Sequence, residues 1–195
     1  MIRISSALAH LAALALFVSF AGPAAAHGTA TAEEIPANLA APAGSVLLFE
    51  LSARGVQIYT CAVKPDDATA FTWTFEAPEA ELFNGRGEAV GSHFAGPTWQ
   101  GPDGSAVVAT VLERADAPAP GAIPWLLLAA TEHTGSGVFA TVTHIQRLDT
   151  VGGAAPSEGC DATHAGAEGR APYAATYAFS YPAVPAPPSA ATPAG

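Results

Sequence analysis

YAATYAFSY, residues 173–181, repeats with a period of two. Tyr173, Tyr177, Phe179 and Tyr181 share one face, and Thr176 and Ser180 the other. A strand with one buried face has this pattern; a helix would repeat every 3.6 residues. The same period recurs upstream. In FTWTF (71–75), Phe71, Trp73 and Phe75 form one face, expected to be core. In GVQIYTCAV (55–63), Val56, Ile58 and Ala62 alternate with Gln57, Tyr59 and Cys61. VFATVTHIQRL (138–148) alternates likewise, which places His144 with Val138, Ala140 and Val142 on the core face and Arg147 outward, against an acid. SAVVATVLER (105–114) alternates less cleanly. SVLLFEL (45–51) and IPWLLLAA (123–130) are continuous apolar runs, which fit strands buried on both faces, with a short helix as the alternative for the second.

The breaks carry turn chemistry: KPDD at 64–67, NGRG at 84–87, PDG at 102–104, TGSG at 134–137 and VGG at 151–153. Only APEAELF (77–83) reads as able to form a helical turn. The sum is about eight to ten short strands, hence an all-β domain, a single antiparallel β-sandwich or barrel.

Outside this domain the composition changes. Arg3, an apolar run from Leu8 to Phe20, and Ala24 and Ala26 in an A-x-A arrangement predict a secretory signal peptide over 1–26, too short to anchor stably in a membrane. Residues 27–44 read as a loosely ordered lead-in and 45–181 as the folded domain. The tail 182–195 has five prolines in fourteen residues and is expected to be disordered. Secretion or a periplasmic location follows as the expected compartment. Without Arg3, six basic residues face seventeen acidic ones, a net charge of −11. The basic residues are scattered, which excludes a phosphate-tracking surface and so nucleic acid as a partner. Cys61 and Cys160 are the only cysteines. An even count in an exported chain predicts a disulfide, and metal ligation would want a C-x-x-C spacing that is absent.

GVQIYTC, HFAGPTW followed by DGS, IPWLLL, IQRLDTVGGAAP and YAATYAFSY together resemble a family of exported bacterial and fungal domains of unknown function. The resemblance covers about residues 36–181. It implies one exported domain and no particular activity.

Three constellations could carry chemistry. GSHFAGPTWQGPDGS (91–105) holds His93, Trp99 and Asp103. A His–acid pair is the minimum for general acid–base work, and Ser92 and Ser105 lie near, so a hydrolase using His93 and Asp103 is one reading. Against it, Asp103-Gly104 is a hairpin signal, and no G-x-S-x-G is present. The second is the N-terminus left by cleavage: His27 would offer an α-amino group and an imidazole to copper, with His93, His133, His144 or His164 completing the site. The third is aromatic. Trp99, flanked by Thr98, Gln100 and Gly101, reads as an exposed platform, with Gln57 and Tyr59 able to join it. CDATH (160–164) offers Asp161 and His164 as further metal ligands. No P-loop, H-E-x-x-H or dinucleotide fingerprint occurs, and no cofactor is implied. The preferred expectation is a binding module for a carbohydrate or other small polar molecule, with His93, Trp99, Asp103, Gln57 and Tyr59 at its site.

Overall fold

The computed structural model describes residues 34–182. The expected leader, His27 and the proline-rich tail beyond Pro182 lie outside the described residues. Eight antiparallel strands run β1 Ser45–Lys64, β2 Asp67–Phe83, β3 Ala89–Phe94, β4 Thr98–Gln100, β5 Ala106–Ala115, β6 Trp125–Thr134, β7 His144–Gly152 and β8 Glu168–Pro182. Each pairs with the next, and β1 pairs with β8, so the sheet closes into a barrel. The all-β expectation holds, and of its two forms the barrel is the one adopted. Closure removes the free edges that an open sheet would expose.

Alternation decides what faces inward. Leu51, Ala53, Gln57, Tyr59 and Cys61 of β1 are buried, as are Tyr173, Ala175, Tyr177 and Phe179 of β8. Register sets Leu51 opposite Tyr177 and Ala53 opposite Ala175. Gly55 also points inward, where a Cβ would fall on the Glu79 carbonyl and Ala80 of β2; only glycine lets the two strands approach so closely.

APEAELF lies within β2. Its Glu, Ala and Leu are good helix formers, but Pro78, Ala80 and Leu82 alternate with Glu79 and Glu81, and the barrel rewards that period. IPWLLLAA is a strand buried on both faces, as expected: Leu126 and Leu128 point into the barrel, while Trp125 and Leu127 pack outside against Leu39 and Leu148. SVLLFEL is not so buried. Val46, Leu47 and Leu48 are exposed, because this end of β1 pairs only with the last residues of β8.

Part of the expected loose lead-in is docked. Ala37–Leu39 form a single 3-10 turn whose Leu39 is fully buried, and Gln146 Nε2 donates to Leu39 O at 2.7 Å. Residues 135–143 are not strand; they form a loop that plugs one end of the barrel with Phe139, packed edge-on to Phe179 at 5.2 Å between centroids.

The disulfide Cys61–Cys160 is formed, with Cα atoms 5.3 Å apart. It ties the far end of β1 to the β7–β8 loop. Trp73 sits beneath that loop, half-buried, and its indole N–H donates to Glu158 O at 2.9 Å. The Phe71–Trp73–Phe75 face is therefore only partly core, and Phe75 is exposed.

Candidate functional site

The other end of the barrel is not filled. A cavity of about 470 Å³ opens there, walled by Gln57 and Tyr59 of β1, Pro78 of β2, His93 of β3, Trp99 of β4, Leu126 and Leu128 of β6, Arg147 of β7 and Tyr177 of β8. Exposed Phe75, Glu76, Val111 and Arg114 also line it and form its mouth, with the Gly96-Pro97 turn. An eight-stranded barrel is wide enough to be packed solid or to hold one small molecule; this one is packed at the Phe139 end and open at the Gln57 end.

His93 and Trp99 are cross-strand partners, and their rings stack at 4.3 Å with a 13° tilt. Tyr177 meets both edge-on, at 5.1 and 5.3 Å. Trp99 is therefore not the exposed platform that its polar neighbours suggest. It is 1% exposed, because β4 turns its side chain inward. Thr98 bends its own hydroxyl back to Ala95 O at 2.9 Å.

His93 Nδ1 donates to Thr98 O at 2.9 Å, which fixes the neutral tautomer and leaves Nε2 as an acceptor. Burial pushes the His93 imidazole down to about 3; the Thr98 bond opposes this and the Arg147 charge adds to it. Burial raises Tyr59, Tyr173 and Tyr177 against the lowering effect of Arg147. The Tyr59 hydroxyl donates to Gly153 O at 2.6 Å and so fastens the β7–β8 loop over this end. The Tyr177 hydroxyl lies beside Tyr173 and Arg147, and the Tyr173 hydroxyl beside Tyr177 and Gln57, without well-aligned hydrogen-bond geometry.

Among the described residues, Gln57 Nε2, Trp99 Nε1 and the Tyr177 hydroxyl, on residues of the wall, are buried without a well-formed hydrogen bond, as are Trp125 Nε1 and the Tyr173 hydroxyl away from it. Such groups ordinarily cost about 1–3 kcal/mol each when left unpaired. Arg147 is the wall's interior cation. The outward placement expected for it is wrong: β7 begins only at His144, so the parity counted from Val138 does not carry into it, and Ile145 and Arg147 face inward. Its Nε and Nη2 donate to Pro124 O at 3.1 and 2.8 Å, in place of the acid expected as its partner.

The structure thus gathers His93, Trp99, Gln57 and Tyr59 around one cavity and leaves Asp103 out. Asp103 lies in the β4–β5 turn, at the opposite end of β4 from the β3–β4 turn beside His93. One of its carboxylate oxygens accepts from Ser105 N at 2.9 Å and Ser105 Oγ at 2.7 Å; the other accepts from Val138 N at 3.0 Å. These bonds, the Ser105 hydroxyl first, hold the carboxyl below its usual range. No hydrogen bond joins it to His93, so the two form no catalytic dyad among the described residues. Asp103→Ala is expected to lower the melting temperature and to speed amide exchange at 101–105 and 136–139. An unchanged melting temperature in that variant would refute the structural role.

The remaining histidines are engaged locally. His133 Nε2 donates to Val142 O at 2.7 Å, His144 Nδ1 meets Thr143 Oγ1 at 3.1 Å, and His164 pairs with Asp161 at 2.8 Å. Asp161 caps the turn Ala162–His164. No three His, Cys, Asp or Glu side chains converge as metal ligands among the described residues.

A family model described as "Protein of unknown function (DUF3455)" matches residues 42–181. The chain belongs to this family. The match takes in the eight strands to within one residue, so in this DUF3455 protein the barrel and its cavity are the family domain itself. No curated protein and no solved structure matches the chain.

Sequence reasoning missed Arg147 and Tyr177 as site residues. The signal was present: Tyr173 and Tyr177 share the inward face of YAATYAFSY, and Arg147 shares the parity of Ile145.

Proposed function

We propose that the domain binds one small molecule inside the barrel and does not transform it. The observation that carries this reading is a cavity at the unplugged end of the barrel, lined by apolar and aromatic side chains with the Arg147 guanidinium among them. About 470 Å³ falls within the range of small-molecule pockets, roughly 300–1,000 Å³. Hydrolysis finds less support, since burial makes the His93 imidazole a weak base and Asp103 is engaged elsewhere. The same reading takes the domain as exported; the leader-like residues 1–26 and the Cys61–Cys160 pair support that compartment.

Thermal shift against compounds of suitable volume is the test. A ligand at a hundredfold its Kd stabilises the folded state by about 2.7 kcal/mol, a shift of several degrees. Val111→Trp places a large ring at the mouth from a position already 39% exposed, so it is expected to block uptake while the fold persists. A shift that survives in Val111→Trp contradicts an interior site, and the absence of any shift contradicts binding.

A further inference from the structure

We propose that the cavity selects an organic anion, a carboxylate on a flat or apolar body, and that Arg147 is its anchor. The assignment rests on the binding reading above and specifies its ligand class.

Trp99 Nε1 and Gln57 Nε2 can only donate and are buried without a partner among the described residues, while the Tyr177 hydroxyl lies beside Arg147 and Tyr173. Arg147 bonds Pro124 O through Nε and Nη2, has the Tyr177 hydroxyl as a neighbour, and pairs with no carboxylate among the described residues, so its charge is left uncompensated at the wall. The ion pairs among the described residues involve Arg86, Arg170 and His164, so Arg147 faces the cavity without a carboxylate of its own. A lone guanidinium at an otherwise largely apolar wall is complemented by an anion. A carboxylate does so with two oxygens and matches the planar guanidinium. A neutral sugar would leave the guanidinium charge uncompensated, and an ammonium would repel it.

The rest of the wall fits the body of such a molecule. Leu126 and Leu128 are apolar, and the stacked His93–Trp99 pair gives a flat aromatic surface. The wall's single acid, Glu76, is exposed at the mouth, where the Thr60 hydroxyl donates to it. Arg114 stands at the same mouth with the sign that admits an anion.

The experiment is calorimetric titration of the full chain with cinnamate, cinnamamide and cinnamylammonium, which share one body and differ in charge. Cinnamate is expected to bind roughly ten- to a hundredfold tighter than the amide, the range of a charged hydrogen-bonded contact, and the ammonium not at all. In Arg147→Gln the preference is expected to fall to about one, with affinity for the amide kept. Equal binding of cinnamate and cinnamamide by the natural chain overturns the anion assignment and leaves interior binding standing. No binding by any of the three overturns both. If Arg147→Gln does not fold, the ratio measured on the natural chain decides alone, because the amide is the isostere that removes the charge from the ligand side.

Discussion

Replacing Cys61 and Cys160 together with alanine is expected to cost about 4–5 kcal/mol of folding stability. The bridge closes a loop spanning 99 residues, and the loss follows from the freedom that the unfolded chain regains. Alanine is the better replacement, since Cys61 is 1% exposed and a serine there would bury a hydroxyl. The effect should reach the cavity too. The loop held by Cys160 supplies Gly153 O to the Tyr59 hydroxyl and Glu158 O to the Trp73 indole, so amides of 153–167 should exchange faster in the variant. Denaturant unfolding of the two chains at one pH measures the difference. A loss below about 1 kcal/mol would mean that the barrel needs no staple, and that the chain-entropy argument fails here.

Acid should destabilise the fold through one residue more than any other. His93 titrates near 3 when folded and near the ordinary 6.5 when unfolded. Between those values the unfolded chain holds a proton that the folded chain refuses. The contribution is therefore fully present above about 6.5 and is lost as pH falls through the window toward 3, by about one to two kcal/mol per pH unit. His93→Asn isolates it: the asparagine amide stands near the Nδ1 position, can donate to Thr98 O, and does not titrate. Stability should fall by about 2 kcal/mol between pH 7 and pH 5 in the natural chain beyond any fall in the variant. Parallel curves for the two proteins would show that the imidazole is not held neutral.

Much of the fold was legible because it is written in a local code. Period two in residues 55–63, 71–75 and 173–181 needs only neighbours two apart, and each of these segments lies in a strand. Barrel closure was not legible. It depends on β1 pairing with β8 across more than a hundred residues, and alternation is the same in a sandwich. The errors have physical causes. Helix-forming Glu and Ala in 77–83 were outvoted by the partner strands. Parity counted through 138–143 failed because those residues turn back to plug the barrel, which put Arg147 on the wrong face. Trp99 was misplaced because its polar neighbours, Thr98 and Gln100, mark the other face of a strand and not the surface of a loop. His93, Gln57 and Tyr59 were singled out from residue type. That they meet Arg147 and Tyr177 around one space is a product of the closed sheet, which sequence spacing does not encode.

We propose above that a ligand enters the interior of the barrel, beside Arg147 and Trp99. The three tryptophan indoles report on it separately. Trp73 donates to Glu158 O under the disulfide loop, Trp125 packs outside the barrel with Leu39, and Trp99 lines the cavity with its N–H unpaired. Indole ¹H–¹⁵N spectra recorded while cinnamate is titrated into the full chain should show the Trp99 resonance moving saturably downfield as its N–H gains an acceptor, with Trp73 and Trp125 nearly still. A Trp99 resonance that stays fixed while cinnamate binds would place the ligand elsewhere and contradict the account.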